Sequence, residues 1–525
     1  MLSRPGATLS DRYRSPRQRR NLFPVRSRSI RTFACCALFL GAGCAGSYRQ
    51  LDGTVELYRQ GDLEAAADWI QSPEFDDERE GDRHGVLWLL ETGKIMHDVG
   101  RFGESETAFE QADARIRTQE QGASMSLSEE VAGILTTQQS RTYRARHWQK
   151  ILLESYRALN QLALGNLDEA LVMARRSYAR QADAVFDKGK EIEKREEGTK
   201  EKKVNEEELM DQDSVQELLA PVQSRITPAY ANYANPFTSY LAALLQWADG
   251  DQTRAIVDMQ KTQGMVPDNE FVAALVTELE GGHPLATPEG RVYVIFENGL
   301  APERIETGIA IVTPNGYSSI RLPMLQYIDT PVVALELSDA AGDLNLRTAH
   351  LADVDAMVSV DFSDELPGIV VRTVLSIVTK EVATKQMRDS NRDLGFLVGT
   401  LWKAMTEGAD LRTWRTVGSR FEVAHFDRPA GGMVRLNLLD KHGGRHLSAE
   451  IELPETTLCF LLCRSVNLAS LRTHTIQAGD PLPSVRIEAA PTETPAEEPP
   501  ADPTDNPESS DEPAAEAATA EKQDS

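Results

Sequence analysis

The sequence predicts a multidomain chain, α followed by α+β. An N-terminal α-solenoid of helix–turn–helix repeats precedes a mainly β, sandwich-like domain that carries a helical hairpin. Three observations lead there. From about residue 48 to 280, apolar residues recur at three and four positions, alanine is abundant and β-branched runs are few. Within that region four glycines mark turns of one local form. After a Gly/Pro-rich stretch at 281–290, short β-branched and aromatic runs separated by turn residues take over.

The chain has 525 residues and a formal net charge of −25. One core rarely grows past about 250 residues, so several domains are expected. The charge is uneven: residues 1–43 hold nine Arg and one Asp, which leaves the rest more acidic than the whole. Such a body lacks the clustered cations that phosphate binding needs, and nucleic-acid binding is set aside.

Residues 1–43 read as an export signal. A basic stretch from Arg12 to Arg31 precedes about eleven apolar residues, Phe33 to Gly43, too few to span a bilayer. Leu40-Gly41-Ala42-Gly43-Cys44 resembles the bacterial lipobox, although Gly41 stands where Leu is usual. That resemblance implies diacylation of Cys44 and a mature chain starting there. Ordinary signal cleavage near Ala45 is the alternative, and Arg19-Arg20 leaves the twin-arginine route open. Ala45 rather than Asp after Cys44 favours the outer membrane over inner-membrane retention.

The repeat domain covers 44–280. Its turn glycines are Gly61, Gly100, Gly165 and Gly250, each followed five residues later by a small residue: Ala66, Ser105, Ala170 and Ala255. Gly93, Ala158 and Ala243 lie seven residues before the last three, where small side chains let two helices approach. These segments resemble tetratricopeptide repeats, best at Gly100 to Ala112, with Phe109 and Ala112 in second-helix positions. The glycines are 39, 65 and 85 residues apart rather than 34, so the repeats are degenerate or separated by unmarked helices; an irregular bundle is the competing reading. Helical pairs expose an apolar face unless they stack, which gives a solenoid with a concave groove. The mixed-charge run at 186–214 reads as a projecting, partly disordered insertion, with a solvated helix extension as the other possibility.

Residues 281–290 read as a domain linker and 291–478 as the β-rich domain. Two helical stretches are expected at about 367–407, the first beginning near Pro367, where proline suits a first helical turn. Cys459 and Cys463, four residues apart in an apolar run, read as core residues; in a strand they are about 13 Å apart, beyond disulfide reach. Residues 479–525 form an acidic, Pro-rich tail that cannot bury enough apolar surface to order itself.

Catalytic patterns are scarce. The sequence contains no phosphate loop, no Gly-x-Ser-x-Gly elbow and no His-Glu-x-x-His. His442 and His446 flank Gly443-Gly444 and read as a hairpin surface. Asp353, Asp355, Asp361 and Asp364 form an acidic cluster in the β-rich domain; helix capping is preferred over a divalent-ion site. The chain is therefore expected not to be an enzyme and to need no cofactor or metal. Two segments stand out as partner-binding candidates. Tyr230, Tyr233, Phe237 and Tyr240 crowd a helix entrance and either fill the core or line a groove. Trp414 between Arg412 and Arg415 fits a binding hot spot or an inter-domain lock, with the lock preferred.

In this order the segments resemble a family of uncharacterised bacterial envelope lipoproteins with degenerate tetratricopeptide repeats and a β-rich C-terminal domain. The matching elements are Cys44, Asn235-Pro236-Phe237 with Tyr240-Leu241 and Gly250-Asp251, Phe296 to Pro302, Asp353 to Ala356, and Asp410 to Thr416. In such a family a neighbouring gene can encode a lipoprotein activator of peptidoglycan synthases. The resemblance implies this architecture, an envelope location and a hint of envelope-protein partners. Together with the lipobox, Ala45 and the solenoid groove it leads to the expectation of an outer-membrane-anchored periplasmic protein-binding scaffold in envelope assembly or peptidoglycan synthesis. Two alternatives compete: a glycan or lipid binder acting through the β domain, favoured by an exposed Trp414, and an envelope hydrolase.

Overall fold

A computed structural model describes residues 50–123, 142–202, 205–313, 316–389 and 409–480. The expected signal, Cys44, the second helix of the 367–407 hairpin and the tail beyond 480 lie outside the described residues.

The helical region holds α1 (Gln50–Arg59), α2 (Leu63–Ile70), α3 (Asp76–Glu80), α4 (Gly85–Asp98), α5 (Phe102–Ala123), α6 (His147–Ala163), α7 (Leu167–Lys202), α8 (Glu206–Met210), α9 (Asp213–Gln223), α10 (Pro236–Ala248), α11 (Gln252–Met265) and α12 (Glu270–Glu280). Four hairpins, α1–α2, α4–α5, α6–α7 and α10–α11, turn on Gly61, Gly100, Gly165 and Gly250. All four glycines lie at φ between 80° and 84°, which side-chain-bearing residues avoid. At each, the glycine N–H bonds the carbonyl three residues back. The next residue bonds five back: Asp62 to Leu57, Arg101 to Met96, Asn166 to Gln161 and Asp251 to Gln246. That is the Schellman closure, which satisfies the last carbonyls of the first helix. Ala66, Ser105, Ala170 and Ala255 are fully buried. At Gly93 a β-carbon would sit 2.4 Å from the Phe109 ring, so the close α4–α5 approach demands glycine. Ala112 is fully buried beside it. Successive hairpins stack, α2 on α4, α5 on α6 and α7 on α10.

The C-terminal half holds β1 (Arg291–Asn298), β2 (Glu303–Thr313), β3 (Gly316–Gln326), β4 (Val332–Ser338), β5 (Asn345–Arg347), β6 (Ala349–Asp353), α13 (Val354–Asp389), β7 (Arg420–Asp427), β8 (Met433–Asp440), β9 (Arg445–Glu452), β10 (Leu458–Ser465) and β11 (Arg472–Gln477). One sheet runs β11-β10-β1-β7-β6, with β1 and β10 parallel and the other pairs antiparallel. A second, antiparallel sheet runs β5-β4-β8-β9, and β2 pairs with β3 alone. Alternation along the strands splits the five-stranded sheet into two apolar faces. Val292, Val294, Phe296, Ala424, Cys459, Leu461 and Cys463 share a core with Leu335, Leu337, Val434, Leu436 and Leu438 of the four-stranded sheet. Tyr293, Ile295, Phe421, Val423, Phe460 and Leu462 share another with the helices. The layers are therefore helix, sheet and sheet. The expected sandwich is present, with the helical region covering its back.

Several expectations are corrected. Residues 281–290 do not separate two bodies: the described residues form one compact unit. Leu285 is buried, and the His283 carbonyl accepts from Trp247 and Gln252. The 186–214 run takes the alternative form: residues 186–202 continue α7 as a solvated helix extension, with Phe186 62% and Ile192 38% exposed and Lys188 paired with Asp364 (2.7 Å), and α8 follows. The helix expected near Pro367 starts at Val354, because the Asp353 side chain accepts the Ala356 N–H (3.0 Å) as an N-cap. Pro367 stands inside α13, between buried Leu366 and Ile369, so packing overrides the lost backbone bond. Cys459 and Cys463 are both buried on the inter-sheet face, and burial pushes the Cys459 thiol up to about 12. Gly443 turns the β8–β9 hairpin, where His446 Nε2 meets Asp440 (2.7 Å).

Candidate functional site

Glu91, Lys94 and Asp98 recur at three and four along α4, which puts them on one stripe of a helix otherwise rich in apolar residues. All fourteen residues of α4 are buried, so the stripe cannot reach water. It meets the C-terminal ends of the interior strands β1 and β10 and, at Glu91, the segment 409–419. Lys94 pairs with Asp98 and, at 3.2 Å, with Glu297. Tyr58 donates to Asp98. Arg464 donates to Tyr58 (2.9 Å) and to the carbonyls of Ser465 and Gly299 (both 2.8 Å). Glu297 also accepts from Tyr156 (2.9 Å) and from the Gly418 N–H (2.6 Å). The seam thus sets two cations against two carboxylates, all with side chains at most 7% exposed.

Such a cluster is tolerable only when every charge is paired and hydrogen-bonded. Burial alone would raise the Asp98 carboxyl; Lys94 and Arg464 outweigh it and hold Asp98 below its ordinary value. Burial pushes His97 down to about 4, so this imidazole is neutral at pH 7, with Nδ1 against the Asn160 amide oxygen at 2.7 Å. A cavity of about 20 Å³ among His97, Asp98, Glu297, Arg464 and His474 has room for a single water.

The seven partner-binding candidates all lie inside the molecule. Residues 409–419 thread between the helices and the sheet as a strap. Trp414 is fully buried. It is stacked on Trp148 (6.3 Å between centroids, 20°) and edge-on to Tyr156 (5.8 Å) and Phe109 (5.9 Å). The Arg415 and Thr416 amides and the Thr416 hydroxyl all donate to Glu91. Arg415 also pairs with Asp52 (2.8 Å), and Arg412 pairs with Asp410 (2.7 Å) over the Tyr143 ring. Tyr230 accepts the Asp353 N–H, and Tyr233 donates to Asp364 (2.9 Å). Phe237 stacks flat on Phe421 (3.9 Å, 5°), and Tyr240 is fully buried.

The groove-lining alternative is therefore corrected. The first helices of the hairpins, α4, α6 and α10, turn the face a groove would need toward the sheet and strap, and the chain fills that face itself. The buried Trp414 also removes the feature that favoured glycan binding. The Asp cluster is dispersed: Asp353 caps α13, Asp355 pairs with Arg225 (3.1 Å), and Asp364 pairs with Lys188 (2.7 Å). Among the described residues no group of three His, Cys, Asp or Glu is placed to hold a metal.

The open concavity lies elsewhere. Ser338, Arg435, Asn437, Arg445, Ser448 and Glu450 line a polar depression of about 480 Å³ on the outer face of the four-stranded sheet. Arg435 pairs with Glu450 (2.6 Å) and Arg445 with buried Glu336, so the depression presents matched charges rather than an anion trap.

Glu422 supplies a pH test of the sheet interior. It is buried, accepts from Thr348 and from Asn298 (3.2 Å), and burial pushes it up to about 7. Its folded-state value lies above the ordinary 4.5, so folding takes up a proton between the two. Its contribution to stability is therefore full below about 4.5 and lost as pH rises through about 7. Glu422→Gln should abolish that loss and stabilise the chain at pH 8 by about 2–3 kcal/mol relative to wild type. Denaturant melts of both proteins at pH 5 and pH 8 check it; an unchanged difference between the two pH values refutes it.

No protein-family model and no curated protein matches the chain. Among solved structures it is similar to a tetratricopeptide repeat protein from Parabacteroides merdae ATCC 43184. The identity is 13%, with 44% of this chain and 98% of that chain covered and a TM-score of 0.13.

Proposed function

We propose that this chain is a protein-binding scaffold of the bacterial envelope, held at the periplasmic face of the outer membrane by a lipidated Cys44. It serves envelope assembly or peptidoglycan synthesis through contacts with other envelope proteins. The observation that carries the reading is the fusion of four glycine-turned hairpins with a two-sheet sandwich through one buried, charge-paired seam. That construction keeps outer surfaces in fixed relation. Since the inner face of the hairpins is filled, partner contacts fall on the second helices and the outer sheet. Val172 on α7 and Val257 on α11, each seven residues past its turn glycine, are 39% and 60% exposed. Gln50 stands six positions after Cys44, a reach of at most about 20 Å in any conformation, so an acylated Cys44 keeps α1 near the bilayer.

Cys44→Ser should lose acyl labelling and move from the outer-membrane fraction to the soluble periplasm; retention in the membrane refutes the anchor. A photo-crosslinking residue at Val172, Val257 or Ser448 in intact cells should capture an envelope protein, while one at buried Trp148 should not. Capture at none of the exposed positions overturns the scaffold reading.

A further inference from the structure

Among the described residues the chain blocks or shortens most edges of its two larger sheets but leaves the long edge of β9 open. At the β6 edge, Asn269 donates to the His350 carbonyl (2.7 Å) and Tyr230 accepts the Asp353 N–H. On β2, Gln212 takes both backbone groups of Val312 and Ser214 donates to the Ala310 carbonyl (2.7 Å). β11 lies against α6, β3 carries Pro323 and packs on α13, and β5 has three residues. β9 differs. It is an eight-residue outer strand, paired with β8 on one side. Among the described residues no group bonds its far edge, and every residue in it is partly or fully exposed. A bare edge of this length is a template for another strand.

We propose that β9 pairs antiparallel with β9 of a second copy of this chain, joining the two four-stranded sheets into one of eight strands. The pattern of β9 selects this occupant. Leu447, Ala449 and Ile451 are half-buried, and Leu447 and Ile451 pack against the inter-sheet core; His446, Ser448, Glu450 and Glu452 face outward, exposed. Opposed residues of an antiparallel pair share a face, so a two-fold axis must pass through a residue of β9 rather than between two. Through Ala449, Leu447 meets Ile451 and extends both cores. On the outer face Ser448 meets Glu450 and His446 meets Glu452, donors against carboxylates, with no carboxylate opposite another. An axis at Glu450 would oppose like charges, and one at Ser448 would set Leu447 against Ala449 and carry Ile451 past its counterpart to the bulged start of β9, where Arg445 lies on the outer face. The contact is self-complementary, as a two-fold interface requires, and it continues the polar face around Arg435 and Glu450 across both copies.

Sedimentation equilibrium of the purified full chain over a hundredfold concentration range should show reversible dimers. Ser448→Glu places two carboxylates opposite each other on both sides of the axis and should weaken the dimer about tenfold. Ser448→Lys should strengthen it or leave it unchanged. Ala449→Cys brings two sulfurs to the axis, where antiparallel Cα atoms lie about 4.5–5.5 Å apart, within disulfide reach. In a background with Cys35, Cys36 and Cys44 changed to Ser, mild oxidation should crosslink that variant and leave its parent, with Cys459 and Cys463 buried, unlinked. A chain monomeric throughout overturns the proposal, whether or not another protein's strand takes the edge. Equal responses of the two Ser448 variants, or no crosslink, overturn it as well.

Discussion

Lys94→Met is expected to destabilise the folded chain by about 3–5 kcal/mol, the cost of leaving a buried charge without its partner. Methionine fills nearly the same volume, so little of that loss comes from a cavity. It comes from Asp98 and Glu297, which lie on either side of the Lys94 ammonium. Arg464 approaches them only to 3.8 and 4.0 Å and is committed to carbonyls and Tyr58. The pH dependence gives a second signature. Lys94 is the largest of the charges holding Asp98 below its ordinary value. Without it burial is opposed chiefly by Arg464, so the folded-state value rises relative to wild type and the folded variant takes up its proton at a higher pH. The deficit relative to wild type should therefore shrink as pH falls toward 4. Adding Glu297→Gln should recover much of the loss at neutral pH. Chemical denaturation of wild type and both variants at pH 7 and pH 5 tests this. A loss no larger than the ~0–1 kcal/mol of an exposed pair would mean that the seam does not hold the layers together.

Why that seam was illegible in the sequence, while the hairpins were not, follows from sequence separation. A Schellman turn is written within six residues: glycine at the left-handed position, its neighbours at fixed offsets, a small residue one turn into the next helix. Gly61, Gly100, Gly165 and Gly250 could therefore be read directly, as could the longer β strands from their β-branched and aromatic runs, whereas β5, β6 and β11 carry no such run. The seam joins Tyr58 to Arg464, 406 positions apart, and it exists only because β10 enters the sheet parallel to β1. No local pattern carries that pairing. A weaker signal was present: Glu91, Lys94 and Asp98 form a charged stripe within an apolar helix, which marks a helix that buries charge against a specific partner. Pro367 misled for the opposite reason. Proline favours a helix start locally, but the Asp353 cap and the packing of Leu366, Ile369 and Val370 carry α13 through it. The aromatic cluster at Tyr230 to Tyr240 and the Arg412–Arg415 segment were recognisable as unusual. Whether they faced inward depended on the sheet covering α4, α6 and α10, which is again a long-range fact.

Trp414→Ala should cost about 3–5 kcal/mol, as for a large ring removed from a closed core. The indole is fully buried among Trp148, Tyr156 and Phe109. Its Nε1–H has no hydrogen-bond partner among the described residues, so its contribution is packing alone. Trp414→Phe keeps a ring, drops that unsatisfied donor, and should cost clearly less. The position of the strap makes the effect directional. Residues 409–419 carry the Arg415 and Thr416 amides to Glu91 and the Gly418 amide to Glu297, so loosening Trp414 loosens the link between α4 and the sheet. Amide exchange should accelerate first in 409–419 and along the α4 and β7 faces that contact it, with the outer four-stranded sheet unaffected. A partner-binding hot spot would behave in the reverse way: alanine would abolish partner capture while leaving the melting temperature and exchange pattern intact. Measuring stability and crosslinked partner on the same variant therefore separates a lock from a contact residue, and a stable variant that has lost its partner would overturn the lock.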